Sequence, residues 1–212
     1  MNNFSIELNN VTKYFGRLLV FKNINYSFDS GKVYGITGRN GSGKSTVSRI
    51  ICGINSASKG KIKYSKNGTE VAREAVYSLV GFVAPYLVLY GEFTALENLS
   101  YFAEIRGTEF DEERAKFWLN EFELYKRRND LLKGFSSGMQ QRMKFIFALI
   151  HNPDFFILDE PTSNLDVAGK DKVYEIIEKT ARDKLIIVAS NEESDLELCS
   201  EFLNVEEFKA VK

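Results

Sequence analysis

Gly38-Arg39-Asn40-Gly41-Ser42-Gly43-Lys44-Ser45-Thr46 fits G-x-x-x-x-G-K-[ST] with a further threonine, the glycine-rich loop that cradles nucleotide phosphates. Its glycines let the backbone curl so that successive N–H groups converge on an anion, and the following helix adds its positive N-terminal end. Lys44 supplies a mobile charge for the β- and γ-phosphates, and Ser45 a hydroxyl for Mg2+. The flanks agree. Val33-Tyr34-Gly35-Ile36-Thr37 is an apolar run of strand length, and Val47, Ile50 and Ile51 recur at helical spacing. A glycine turn that binds nothing would not need a strand before it and a helix after it.

Outward from this loop the chain divides into short elements. Phe4 to Leu8 alternates as a half-buried strand, with a turn expected at Asn9-Asn10. Asn23 to Phe28 alternates again, with Ile24, Tyr26 and Phe28 on one face, and ends at the turn Asp29-Ser30-Gly31. The phosphate-loop helix should close at Gly53. Lys61 to Tyr64 and the Asn67-Gly68 turn predict an antiparallel hairpin. Val71 to Ser78 reads as helical and Leu79 to Val83 as a buried strand. From Thr94 to about Ile150 the pattern is helical: Leu96, Leu99, Phe102, Ala103 and Ile105 follow one face, and Phe117, Leu119, Phe122 and Leu124 another. Phe155 to Leu158 and Leu185 to Val188 are buried strands of the parallel type. Val173, Ile176 and Ile177 mark the helix between them, and Phe202 to Val205 a short last strand. The prediction is an α/β fold. It has a nucleotide-binding core with a mixed sheet, a small antiparallel β subdomain and an α-helical sub-lobe. One domain covers 1–212, with core at about 1–84 and 153–212 and the sub-lobe at about 85–152.

Composition excludes several classes of function. With 28 basic and 29 acidic residues among 212, no net field draws in nucleic acid or anionic lipid. Basic clusters such as Lys126-Arg127-Arg128 read as a solvated helix end. Cys52 and Cys199 fit reduced, buried thiols, and two cysteines with one histidine, widely scattered, make no zinc site. No run approaches the ~18 apolar residues that span a bilayer. The N-terminus has neither the charged nor the apolar region of a secretory signal. The expectation is a cytoplasmic chain, reaching a membrane only through a partner.

Phe155-Phe156-Ile157-Leu158-Asp159-Glu160-Pro161-Thr162 buries a strand and delivers two carboxylates to its C-terminal end, where ligands bind in open parallel sheets. Asp159 is placed to hold Mg2+ and Glu160 to polarise the attacking water. Phe135-Ser136-Ser137-Gly138-Met139-Gln140-Gln141-Arg142 starts a second helix suited to phosphate, with the Ser136 hydroxyl and no side chain at Gly138.

In this order and spacing the chain resembles the ATP-binding subunit of ABC transporters over essentially its whole length. The phosphate loop, the LSGGQ-like Phe135 to Arg142, the Walker B strand with its glutamate, and the D-loop Ser163-Asn164-Leu165-Asp166 all match. Thr94-Ala95-Leu96-Glu97-Asn98-Leu99 resembles the segment after the family's Q-loop. The chain looks most like the small cytochrome c-biogenesis heme-exporter ATPases. The resemblance implies ATP and Mg2+ as ligands and a head-to-tail dimer, with itself or a related ATPase subunit. In that dimer Ser136 and Gly138 of one chain cap the γ-phosphate held by Gly38, Asn40, Gly41, Ser42, Gly43, Lys44, Ser45 and Thr46 of the other, with Asp166 at the joint. It further implies an integral-membrane permease that selects cargo and holds the subunit peripherally at the inner face of the cell membrane. Phe15, ahead of Gly16, matches the aromatic that stacks on adenine, the alternatives being Tyr14 in that role or Phe15 in the core. His151, before Asn152-Pro153, reads as a structural cation or cap at a helix end.

Two positions depart from the family. Pro85 stands where the Q-loop glutamine is expected, and Asn191 replaces the switch histidine after Ser190. Catalysis is therefore expected from Glu160 and Lys44 with Asn191 in a weakened supporting part. Three functions compete: a transporter ATPase, a non-transport ABC protein of translation or repair, and a nucleotide-gated module that hydrolyses little. The second usually carries paired domains or a long coiled-coil insert, which this chain lacks. Tyr86-Leu87-Val88-Leu89-Tyr90 is either a strand with alternate residues buried or part of a groove for the permease.

Overall fold

A computed structural model describes residues 3–209. Two sheets form. Strands β1 (Phe4–Phe15) and β2 (Leu18–Asp29) pair with β4 (Lys59–Lys66) and β5 (Thr69–Val71) in an antiparallel sheet ordered β2-β1-β4-β5. Strands β3 (Val33–Thr37), β6 (Val80–Val83), β7 (Phe155–Asp159), β8 (Leu185–Ala189) and β9 (Glu201–Asn204) form a parallel sheet ordered β6-β7-β8-β3-β9. The helices are α1 (Lys44–Ile51), α2 (Val76–Leu79), α3 (Ala95–Ile105), α4 (Glu112–Glu121), α5 (Ser137–Leu149), α6 (Val167–Ala181) and α7 (Glu193–Leu196).

The inner strands β3, β7 and β8 are almost wholly apolar because both their faces are covered, whereas the edge strand β9 carries Glu201, Asn204 and an exposed Phe202. Alternation splits them between two cores: Phe155 and Ile157 of β7, with Leu185, Ile187 and Ala189 of β8, face α1 and the antiparallel sheet. Phe156, Leu158, Ile186 and Val188 join Leu99, Leu119, Met143 and Ile146 from α3, α4 and α5. Phe4 and Phe155 stack with ring centroids 5.0 Å apart, tying the two sheets together. The helical segment between β6 and β7 thus packs on one face of the sheet that carries the phosphate loop.

Several expectations are corrected. Asn9-Asn10 does not turn the chain. Instead β1 runs on to Phe15, taking up Asn10 at φ 53° as an irregularity in its register with β2. Both hairpin strands are consequently longer than their alternating cores, and the connection is Gly16-Arg17. Ile105 and Phe117 lie on exposed faces rather than in the core. Asn67 and Gly68, both at positive φ, close the β4–β5 hairpin as expected. Cys52 is buried and Cys199 half-buried, both as free thiols.

Candidate functional site

The site follows from strand order. β8 lies between β7 and β3, so three neighbouring C-terminal ends release Asp159-Glu160, Ser190-Asn191 and the phosphate loop side by side. Two glycines are fixed by sterics. Gly38 sits at φ 137° and Gly43 at φ 114°. A Cβ would come 2.6 Å from Ser42 Oγ at the first and 2.8 Å from Val20 Cγ1 at the second. Gly43 caps α1 with no side-chain hydrogen bond, so the first N–H groups of α1 remain available to an anion.

Lys44 is buried, and its Nζ donates to Gly38 O and Asn191 Oδ1, each at 2.9 Å. The Asn191 amide donates in turn to Asn40 Oδ1. Asn191 therefore bridges the lysine and the rim of the loop, which the sequence did not foretell. Glu160 adopts φ 48° and its N–H donates to Ala189 O at 2.8 Å. Its carboxylate lies 3.3 Å from Ser190 Oγ and shares that hydroxyl's one hydrogen with the nearer Asp195. Burial pushes the Glu160 carboxyl above its ordinary value against the pull of Lys44 and Ser190, as suits a proton acceptor.

Ser45 Oγ donates to Asp159 Oδ1 at 3.2 Å. Asp159 is 1% exposed and its Oδ2 lies buried without a partner in hydrogen-bond range. Burial raises this carboxyl, while Ser45, Arg49, the Tyr86 hydroxyl and Lys44 draw it back. A hydroxyl beside a carboxylate with one unmatched oxygen suits a hard cation such as Mg2+. Among the described residues no three acidic, histidine or cysteine side chains gather to hold a metal alone. Phosphate oxygens and water would complete the shell.

Asp195, which no motif announced, organises the far wall. It is 1% exposed and accepts from Ser190 Oγ at 2.7 Å, Thr162 Oγ1 at 2.8 Å and the Tyr174 hydroxyl at 2.9 Å. These contacts join the segment after Glu160 to the segment bearing Asn191. One carboxylate among Glu192, Glu193 and Asp195 at a four-residue helix gives no sequence signal; only its long-range partners single it out.

Phe15 is 49% exposed and lines a cleft of about 610 Å3 with Asn40, Gly41, Gly43, Lys44, Ser45, Thr46 and Glu160. Lys13 Nζ sits 4.7 Å above its ring. The core alternative for Phe15 is thus excluded. Ser136 caps α5, accepting from the Met139 N–H at 3.3 Å, and Asp166 caps α6, accepting from the Gly169 N–H at 2.9 Å. A Cβ on Gly138 would meet Asn164 O at 3.1 Å. Ser136, Gly138 and Asp166 do not line the Lys44 cleft.

Two further readings narrow, each losing one of its alternatives. His151 is neutral, not a cation: burial pushes its pKa down to about 4, and its Nε2–H donates to Val80 O at 3.0 Å. Residues Tyr86 to Tyr90 form no strand. Leu87, Val88, Leu89 and Tyr90 line an apolar groove of about 400 Å3 with Phe82, Phe102 and Phe147, and Val88 is 89% exposed. Lys144 anchors its start, donating to Ala84 O at 3.1 Å and Pro85 O at 2.8 Å.

Fold and cleft together define a nucleotide-binding ATPase of the phosphate-loop class. The ABC transporter family model matches residues 21–163. An ABC transporter ATP-binding protein of Methanocaldococcus jannaschii is 33% identical over 97% of this chain and 76% of its own length. The bacitracin transport ATP-binding protein BcrA of Enterococcus faecalis is 29% identical over 95% of this chain and 66% of its own. Among solved structures, an ABC transporter ATP-binding protein of Pyrococcus furiosus superposes with a TM-score of 0.82 at 22% identity, covering 97% of this chain and all of that one. The chain belongs to the ABC transporter family as an ATP-binding subunit, an ATPase. The likeness to heme exporters rests on Thr94 to Leu99, which here form a capping box at the start of α3. A helix cap carries no information about cargo.

Proposed function

We propose that the chain binds Mg-ATP in the Lys44 cleft and hydrolyses it once a second ATPase chain, identical or related, adds Ser136 and Gly138 over the γ-phosphate. One observation carries this. Lys44 and Ser45 after β3, Asn191 after β8, and Asp159 and Glu160 at the end of β7 meet at three adjacent strand ends, while the second phosphate-suited helix start lies outside the cleft. Phe15 supplies a flat apolar face at the cleft for the adenine, and Asp166 stands at the joint between chains. Lys44 leaves Gly38 O and Asn191 Oδ1 to hold the β- and γ-phosphates. Ser45 and Asp159 would hold Mg2+, which would supply positive charge against the charge that develops on the phosphates. Glu160 orients a water on the γ-phosphorus and accepts its proton as the bond to ADP breaks.

The groove beside Leu87 to Tyr90 receives a cytoplasmic segment of a membrane permease, and the segment 85–152 moves with it as a lobe. Support comes from family membership and from an apolar concavity with a solvent-exposed rim. No helix among the described residues is long and apolar enough to cross a membrane, so the permease would hold the subunit at the cytoplasmic face and choose the cargo. The contact of Asn191 with Lys44 favours slow turnover, because phosphate must displace it. Phosphate release with Mg-ATP, alone and with the permease, tests the reading. Turnover in both conditions, abolished by Glu160→Gln, supports it. Absence of turnover in both would leave a nucleotide-gated module instead.

A further inference from the structure

Arg49 lies four residues after Ser45 on α1, so the two side chains share a face. That face meets Asp159. A guanidinium beside a buried carboxylate ordinarily forms a forked ion pair with it. Yet no ion pair joins Arg49 to Asp159 among the described residues, and Asp159 Oδ2 is left unmatched. Instead the Arg49 guanidinium lies over the Tyr86 ring, 3.9 Å from its centroid. The ring itself leans on Phe82 at 6.1 Å. Tyr86 directly follows Pro85, whose carbonyl Lys144 clasps, and the next four residues line the apolar groove.

We propose that Tyr86 is a positioning residue that holds Arg49 on its aromatic face and so keeps Asp159 Oδ2 open for the divalent cation, tying the metal site to the loop that lines the groove. Cation–π contact and ion pairing are alternative homes for one guanidinium. With the ring gone, the positive charge falls onto the carboxylate and competes with the metal for the same oxygen. Pro85 has no side-chain donor for this task, and Tyr86 acts through Arg49 rather than touching nucleotide.

This inference rests on the Mg-ATP reading of the cleft, and the test separates the two. Mn2+ replaces Mg2+ and is titrated by electron paramagnetic resonance into the full chain with a non-hydrolysable ATP analogue; metal-free binding of the analogue is measured alongside. Tyr86→Ala, and Tyr86→Leu, which keeps the contact with Phe82 without an aromatic face, should each weaken Mn2+ about tenfold, the scale of one charge-assisted hydrogen bond. Metal-free analogue binding should not change. Tyr86→Phe keeps the ring beneath Arg49 but removes the hydroxyl that draws on Asp159, so its Mn2+ affinity should lie nearer the parent's than that of Tyr86→Ala. The pair Arg49→Ala with Tyr86→Ala should recover parental Mn2+ affinity, because the competing cation is gone. Unchanged Mn2+ affinity in Tyr86→Ala and Tyr86→Leu would overturn the proposal, as would a double variant no better than Tyr86→Ala. A parent that binds the analogue but no Mn2+ would overturn the Mg-ATP reading and this inference with it.

Discussion

Lys44 has two protein partners before any phosphate arrives, and that shapes what substitutions there should do. Lys44→Ala removes a charge-assisted partner of the phosphates worth about 1.5–3 kcal/mol, so ATP affinity should fall at least tenfold by titration calorimetry. Unchanged affinity would sink the phosphate-loop assignment. Asn191 offers a neutral amide where the family places an imidazole. Asn191→His should raise kcat more than it changes ATP affinity, because the contact matters most as charge develops on the γ-phosphate. Phosphate release at saturating Mg-ATP decides it, and a variant no faster than its parent contradicts it. Glu160 must be ionised to accept a proton, and burial has raised its carboxyl. The acid limb of the kcat profile should lie above the ordinary glutamate value of 4.5, with rate rising as pH climbs through it. Ser190→Ala removes a shared hydrogen bond to the ionised form, so the limb should move to higher pH. A limb that stays put would separate Glu160 from the proton transfer.

At the scale of elements, legibility followed contact range. The phosphate loop, the strand ending in Asp159-Glu160 and the Asn67-Gly68 turn were readable because local backbone demands fix their residue types. The length of β1 was not, since tolerance of Asn10 at positive φ depends on pairing with β2 and β4. Nor was Asp195, whose meaning lies in partners such as Thr162 that are distant along the chain. His151 illustrates the same gap. Sequence put it at a helix end, where a cation is favoured, but burial beside Arg106 makes it neutral. Its folded pKa of about 4 lies below the ordinary 6.5, so the unfolded chain binds more protons between these values. Its contribution is complete above pH 6.5 and is lost as pH falls toward 4, by about 3 kcal/mol in all. His151→Gln should therefore narrow the stability difference between about pH 7 and pH 5 by about 2 kcal/mol, read from urea midpoints. An undiminished difference would mean His151 is charged in the fold.

At the scale of the whole molecule, two surfaces carry the proposed contacts with partners. Leu87→Glu or Leu89→Glu places a charge in the groove at half-buried positions. Either should release the subunit from membranes bearing its permease, with melting temperature and ATP binding near the parent's. Loss of folding would show the loop to be core. The other surface is the cleft itself, which holds the elements for binding ATP but not the signature helix that would cap it. Glu160→Gln keeps the shape of the side chain and removes its basicity, so it should bind Mg-ATP and stall with the cap in place. Light scattering of this variant on a sizing column, with and without saturating Mg-ATP, is the most direct test. The expected result is a mass that doubles with Mg-ATP and stays single in Glu160→Gln carrying Lys44→Ala; a single-chain mass with Mg-ATP demonstrably bound would contradict a site completed by a second copy.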